Sequence, residues 1–343
     1  MAPPFHNDSA VDEEEGLRTD VRIAIELALD DILDPSEQRE ITDVEEEKLT
    51  HFAVRDFDLP LTYSWYLAGA HTIAEANPDK RSPWQPGQAF GDLRAQESRY
   101  NDRIQELRGY FRSTEFIPGY TLRKVWFTDK FEFLRDYYRE LAPDKYRDIY
   151  IHSLNVREQL WDLNEILDKE SENRPLSDFG IGEPNPLLDP SVEEDIRYLF
   201  SDFHMDLARI KVLGHIKKDI VRGADLIERI LSKLTRIETT SVEQRMLISN
   251  GLHDFFYYYV WKYPALAISA DTTVGPNADA LKHKRLLEFD NFDEKLNAEI
   301  NNITQQARGL SLLPNIDEPI SDRSEKSAYL HSLIKESVDT RDE

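Results

Sequence analysis

A histidine–aspartate pair, His253-Asp254, is the sharpest chemical signal in this sequence. It precedes a run of aromatic residues on a predicted helix, with His215 upstream and Asp271 and Asp290 downstream. Imidazole nitrogens and carboxylate oxygens are the usual protein ligands of catalytic metal ions. His215, His253 and Asp254 are therefore the candidate metal ligands of the chain.

The pair resembles the dyad of helical phosphohydrolases of the HD superfamily. Those enzymes hold metal with a histidine, the dyad and a later aspartate, so the resemblance implies a metal-dependent hydrolase that uses His253 and Asp254. The sequence departs from that pattern elsewhere, because the histidine before the dyad has no partner motif and no downstream aspartate stands out. We therefore predict ordinary helix residues here, facing a rim or sharing one internal hydrogen bond. We predict no bound metal and no cofactor.

Three other histidines have a carboxylate one helical turn before them. Such pairs can share a metal ion, but they also pair simply as neighbours on a helix surface. With 66 acidic residues in 343, the spacing is expected by coincidence. The pairs are Glu47 and His51, Asp148 and His152, and Asp279 and His283.

A basic belt interrupts the acidic sequence in its second half. Four of its residues recur at steps of four, three and four, from Lys211 to Arg222, which places them on one helical face. Such a face could receive a nucleic-acid backbone or an acidic partner, whereas the alternative is internal pairing with carboxylates. We favour internal pairing. The belt consists of Arg209, Lys211, His215, Lys217, Lys218 and Arg222.

The composition limits the classes of function that are open to the chain. Its net charge is −24, which is typical of halophilic proteins and argues against general affinity for nucleic acid or anionic membranes. It contains no cysteine, which excludes disulfides and thiol nucleophiles. The sequence shows no signal peptide and no apolar stretch long enough to span a bilayer, so we predict a cytoplasmic protein.

Apolar periodicity predicts an all-α fold. The longest stripe follows residues 192–238, which we predict to be one long helix. It is followed after a short connection by a helix over residues 241–263, so the two should form an antiparallel hairpin. Residues 60–76 are apolar nearly all round and predict a buried helix.

The chain divides by composition into two helical halves. A segment rich in proline and glycine, residues 169–190, predicts a linker between an N-terminal domain (17–168) and a C-terminal domain (191–338). Residues 1–16 predict a disordered acidic tail, and residues 339–343 a frayed end.

No catalytic motif accompanies this fold. We therefore predict a non-enzymatic protein that acts through helix-mediated association with a protein partner or with itself, or through regulation. The alternatives are the HD-like hydrolase and nucleic-acid contact through the basic belt.

Overall fold

The computed structural model describes residues 8–72, 101–172, 188–237 and 240–313, and it confirms a mainly all-α fold. The helices before residue 173 are α1 (Asp8–Ile32), α2 (Asp43–Phe57), α3 (Asp102–Ser113), α4 (Leu122–Phe127), α5 (Lys130–Leu141) and α6 (Arg147–Glu172). Those after residue 187 are α7 (Pro190–Arg209), α8 (Lys217–Leu234), α9 (Val242–Met246), α10 (Leu252–Phe255), α11 (Lys262–Thr272), α12 (Ala278–Asp290) and α13 (Phe292–Gly309).

The predicted helix over residues 60–76 is wrong. The chain forms an antiparallel β-hairpin there, with β1 (Tyr63–Tyr66) paired to β2 (Gly69–Thr72). Gly69 has a φ of 93°, a left-handed conformation that suits glycine and lets the chain turn tightly. A strand that is buried on both faces is apolar throughout, so its sequence resembles that of a buried helix. A smaller hairpin joins β3 (Glu115–Ile117) to β4 (Tyr120–Thr121).

The single long helix predicted for residues 192–238 is also wrong. It is broken between α7 and α8, where Lys211–Leu213 form a short 3-10 turn and Gly214 follows. The apolar stripe continues through the break, because Ile210, Leu213 and Ile216 are all buried. Periodicity therefore identified the buried residues correctly, although the backbone is not one helix. The predicted hairpin has no unbroken first arm.

Residues 242–272 form one continuous but irregular helical segment. Two wider π-helical stretches, Leu247–Gly251 and Phe256–Trp261, alternate with α9, α10 and α11. Such π-bulges interrupt the regular spacing of side chains and occur frequently at functional sites. They lie on either side of His253.

The buried core is continuous through the described residues. Trp261 Nε1 donates to Leu67 O at 2.8 Å, and Ser64 shares a 2.7 Å hydrogen bond with Ser269. Contacts therefore join the β1–β2 hairpin to residues that follow the predicted linker. The division into two domains stays a prediction, and residues 173–187 of that linker lie outside the described residues.

Part of the predicted N-terminal tail is helical. Helix α1 begins at Asp8, so residues 8–16 are helical and not part of a disordered tail. Glu14 is buried and accepts hydrogen bonds from the Thr62 backbone N–H and from Asn277 Nδ2, which holds this end of α1 against the fold. Residues 1–7 and the predicted frayed end, residues 339–343, lie outside the described residues.

Candidate functional site

Six side chains from three helical segments form a closed ring in which nitrogen-bearing groups alternate with aromatic rings. We call it the Arg157 cluster. Its nitrogen-bearing members each lie against two of its three aromatic rings. In order around the ring the members are Lys130, Trp161, His253, Tyr257, Arg157 and Phe131.

The contacts on the two fully cationic members are close. Arg157 Cζ lies 3.8 Å from the centre of the Tyr257 ring and 6.0 Å from that of Phe131. Lys130 Nζ lies 4.8 Å from the centre of the Phe131 ring and 4.9 Å from that of Trp161. These are distances at which cation–π attraction acts.

The imidazole of His253 completes the ring. Its centroid lies 5.3 Å from that of Trp161, edge to face, and 6.1 Å from that of Tyr257, in a stacked orientation. Trp161 is 45% exposed, so the cluster meets solvent on that side.

Local structure explains why these side chains meet. Helix α5 starts at Lys130 because Asp129 caps it, accepting from the backbone N–H of Phe131 at 2.8 Å. On α6, Arg157 and Trp161 are four residues apart and therefore share one face. His253 and Tyr257 have the same spacing on the irregular segment that packs against α6.

The guanidinium of Arg157 is the unusual feature of this cluster. Only 6% of the residue is exposed, and no carboxylate within the described residues lies at ion-pair distance from it. Its Nε has no hydrogen-bond partner in the described part of the chain, and neither does His253 Nε2 or Tyr138 Oη, which are also buried. A buried charge without a counter-charge is unfavourable, so the arrangement favours binding of an anion.

The pKa values of two members of the cluster, His253 and Lys130, are lowered, which favours their neutral forms. Burial is the largest cause that lowers the pKa of His253, and the charges of Arg157 and Lys130 lower it further, while Asp254 opposes them. Burial and then the charge of Arg157 lower the pKa of Lys130. The charges of Arg157 and Lys130 therefore act on the same imidazole, in a protein of net charge −24.

A second cluster of buried charge, the Glu47 network, lies between α1, α2 and the β1–β2 hairpin. Glu47 accepts from the Thr72 backbone N–H at 2.7 Å and from Thr72 Oγ1 at 2.9 Å, and it pairs with Arg18. His71 Nδ1 lies 3.6 Å from the same carboxylate. Burial would raise the pKa of Glu47, but His71, Arg18 and the Thr72 N–H together lower it.

The other buried groups of the Glu47 network are also hydrogen-bonded. Lys48 Nζ donates to Ala70 O at 2.6 Å, and Tyr137 Oη lies 2.6 Å from His51 Nδ1. Burial lowers the pKa of Lys48 to about 7, and burial with the charge of Lys48 lowers that of His51 to about 3. The imidazole of His51 is thus neutral and shares a hydrogen bond with the Tyr137 hydroxyl. In this network Arg18 Nη1 alone is a buried orphan.

The predicted metal ligands do not come together. His253 Nδ1 lies 3.2 Å from Asp254 Oδ1, whereas His215 contacts the Phe289 ring at a centroid distance of 5.5 Å. Throughout the described ranges, no three His, Asp or Glu side chains are grouped closely enough to hold a metal ion. This geometry does not favour the HD-like alternative.

The basic belt does not form the single helical face that its spacing predicted. Lys211 lies in the 3-10 turn and His215 in the bend after it, whereas Lys218 and Arg222 lie on α8. Arg222 bonds to Asn297 at 2.7 Å and lies 3.6 Å from Asp219. Arg209 lies 3.5 Å from Asp206 and Lys217 is half-buried, so a role for the belt in binding stays a prediction.

Comparison with known proteins gives a family match along most of the chain. Residues 6–338 match the family described as Domain of unknown function (DUF8098). The chain belongs to this family. No curated protein and no solved structure matches it. Within the described residues, no helix of this family member is long and apolar enough to cross a membrane.

Sequence reasoning identified His253 but missed its partners. Arg157 and Trp161, like His253 and Tyr257, pair a nitrogen-bearing side chain with an aromatic one four residues later. That repeated spacing was the available signal. It did not show that the two helical faces meet, nor that no carboxylate of the described residues pairs with Arg157.

Proposed function

We propose that the protein binds a small anionic ligand at the Arg157 cluster. The observation that carries the proposal is the buried guanidinium of Arg157, which has no carboxylate partner within the described residues although the chain has 66 acidic residues. An acidic protein has ample means of pairing an arginine internally. A position that stays unpaired is better explained by a counter-ion from outside the chain.

The chemistry of the site supports an anion rather than a neutral ligand. Arg157 Nε and Tyr138 Oη are both donors without partners, and burial keeps Tyr138 protonated by raising its pKa. Hydrogen bonds between charged donors and anionic acceptors are about twice as strong as those between neutral groups. Lys130 adds a second positive charge beside the exposed Trp161.

Thermal unfolding with and without inorganic phosphate tests the proposal, with chloride adjusted to keep the ionic strength constant. Phosphate stabilises many proteins non-specifically, so the informative quantity is the difference between the parent and Arg157→Met. We expect phosphate to raise the melting temperature of the parent more than that of Arg157→Met. A specific ligand at one hundred times its Kd contributes about 2.7 kcal/mol.

Arg285 offers a matched control for this experiment. Its Cζ also lies 3.8 Å from a tyrosine ring centre, that of Tyr66, and the residue is buried, but Glu288 lies 3.6 Å away. Arg285→Met should keep the full response to phosphate. An equal response in the parent and Arg157→Met would overturn the proposal.

A second candidate function is association with a helix, as the sequence predicted, and an apolar groove of about 630 Å³ favours it. Glu243, Asp254 and Glu299 line the groove together with apolar side chains, which suits a helix whose apolar stripe is flanked by Lys or Arg. The apolar lining includes Met246, Leu247, Phe255, Tyr259, Ile303 and Leu310.

A designed amphipathic peptide tests this second function. A labelled helix of Leu and Lys at helical spacing should bind, as measured by fluorescence anisotropy, and the same peptide with Glu in place of Lys should not. Met246 is exposed, so Met246→Glu should weaken binding without unfolding the protein. Equal binding of both peptides, or no effect of Met246→Glu, would count against the groove.

A further inference from the structure

The apolar groove has one wall on the irregular helical segment that starts at α9 and the other on α13. Met246 lines it and is 65% exposed, and Val242, one turn earlier on the same helix, is 72% exposed. Leu247 and Phe255, which also line the groove, are buried. Exposed apolar side chains beside a concave apolar surface are typical of an interaction site, so the groove needs an occupant.

The described chain ends beside this groove. Ser311 has a φ of 58°, and the Leu312 N–H donates to Ala307 O at 2.7 Å, which is the bond of a Schellman motif at the end of α13. Leu310 lines the groove, and its carbonyl accepts from Gln244 Nε2 on the opposite wall at 2.7 Å. Helix α13 therefore stops at the groove, and the residues that follow it start there.

Residues 321–338 lie outside the described residues, but their sequence predicts an amphipathic helix. Four large apolar side chains occur at spacings of one, three and one, which places them on one helical face. The family match ends at residue 338, so it includes this segment. The four side chains are Tyr329, Leu330, Leu333 and Ile334.

The lengths of the segment and of the groove agree. The longer wall runs from Glu243 to Tyr259, about 24 Å at about 1.5 Å per residue. As a helix, residues 321–338 would be about 27 Å long. The connection, residues 314–320, can span up to about 23 Å, which is enough for the segment to return along the groove from the end of α13.

The charges of the segment suit a groove that is lined by carboxylates. Lys326 is four residues before Leu330 and therefore shares its face, and Lys335 flanks the apolar stripe on one side. Glu325 and Glu336 flank it on the other side, which would face solvent. The carboxylates of the groove are those of Glu243, Asp254 and Glu299.

We infer that residues 321–338 of the same molecule occupy the groove and compete there with a partner helix. The inference rests on the second candidate function, helix binding at the groove, and adds the regulation of that site. A short connection holds the segment at an effective concentration on the order of millimolar. A partner helix must displace the segment in order to bind.

The full chain carrying both Leu330→Glu and Leu333→Glu tests this competition. Two charges on the apolar face make burial in the groove unfavourable, so the segment should leave it. By fluorescence anisotropy, the labelled peptide of Leu and Lys should bind this double variant at least about tenfold more tightly than it binds the parent. A labelled peptide of residues 321–338 should show the same preference. Adding Met246→Glu to the double variant should weaken the binding of both peptides.

The matched control carries Ala328→Glu and Ser332→Glu, which add the same charge to the opposite helical face. It should bind both peptides as the parent does. Equal affinity of the Leu and Lys peptide for the parent and the double variant would overturn the inference but leave helix binding at the groove intact. Absence of binding to either protein would overturn both.

Light scattering distinguishes docking within one molecule from docking between two copies. Occupation by the same molecule predicts that the parent and the double variant have the same mass in solution at every protein concentration. A dimer of the parent that dissociates in the double variant would assign the segment to the groove of a second copy, and this result would overturn the inference.

Discussion

The Glu47 network and the Arg157 cluster each contain a buried charged side chain, but only Glu47 has counter-charges supplied by the described part of the chain. Glu47 has Arg18, His71 and the Thr72 hydrogen bonds around its carboxylate. Arg157 has aromatic faces and no carboxylate among the described residues. A buried carboxylate whose charge and hydrogen bonds are met by the fold is explained by a structural role.

The presence of counter-charges at Glu47 and their absence at Arg157, among the described residues, indicate a structural role for the first and a binding role for the second. Burial of a charge costs several kcal/mol unless hydrogen bonds and counter-charges offset it. At Glu47 the fold offsets that cost. At Arg157 the cost stays largely uncompensated, because cation–π contact offsets only part of it. Mutations should therefore affect the two regions in opposite ways.

The largest effect is expected for Glu47→Gln. The substitution removes the charge that balances Arg18 and leaves that arginine half-buried without its partner, so the free energy of unfolding should fall by about 3–5 kcal/mol. Urea unfolding at pH 7 measures the change. Glu140→Gln, at an exposed position, is the control and should stay close to the parent. A loss no greater than that of the control would contradict a structural role for the network.

Lys48→Met should change the pH dependence of stability. Burial lowers the pKa of Lys48 to about 7, so the folded protein releases this proton near pH 7 while the unfolded chain keeps it to about pH 10. The parent therefore gains stability as pH rises between these values, by up to about 1.4 kcal/mol per pH unit.

Methionine has no proton to release, so this gain should disappear in the variant. Urea unfolding at pH 7, 8 and 9 measures the free energy of unfolding of both proteins. The variant should compare best with the parent at pH 7, and it should become less stable relative to the parent as pH rises. The exposed Lys124→Met is the control. Parallel pH profiles for Lys48→Met and the parent would show that burial does not lower the pKa of Lys48 in the folded protein.

Much of this fold was predictable because its helices have strong local signals. Thr42 and Glu45 have the spacing of a capping box, and the structure forms that capping box at the start of α2. The β1–β2 hairpin was not predictable from apolar content, because a strand buried on both faces has no alternation. The break after α7 was missed for a related reason, since Leu213 and Ile216 continue the buried stripe.

The candidate site was less predictable than the fold. His253 was identified from its neighbour Asp254, but the contact that matters is with Tyr257 and Trp161. The absence of a carboxylate beside Arg157 among the described residues is a property of the packed structure. A sequence with 66 acidic residues gives every arginine an apparent surplus of partners.

A smaller effect is expected at the contact between α6 and α7. His152 Nδ1 lies 2.6 Å from Oδ2 of the buried Asp206, and this hydrogen bond is the largest cause that raises the pKa of His152. The pair therefore stabilises the fold fully below the unfolded pKa of about 6.5, and the contribution is lost as pH rises through the higher folded pKa.

His152→Gln tests this contact with a donor that never carries charge. The variant should be less stable than the parent by about 1 kcal/mol at pH 5.5, and the difference should narrow as pH rises past the folded pKa of His152. His283→Gln, at an exposed position, should show no such trend. A difference that is constant with pH would mean that the bond does not depend on the imidazolium charge.

The smallest effect on stability, and the one that separates the two regions most sharply, is expected for Arg157→Met. In phosphate-free buffer the lost cation–π contact, about 2 kcal/mol, is offset by removal of an unpaired buried charge, so the free energy of unfolding should change by less than about 1 kcal/mol or rise. Arg285→Met loses the same 3.8 Å stacking together with its ion pair to Glu288, and it should be the less stable variant. If Arg157→Met were instead as destabilised as Glu47→Gln, the guanidinium would stabilise the fold and would need no ligand to explain it. If Arg157→Met is nearly as stable as the parent and no longer responds to phosphate, then Arg157 serves ligand binding and does not stabilise the folded state.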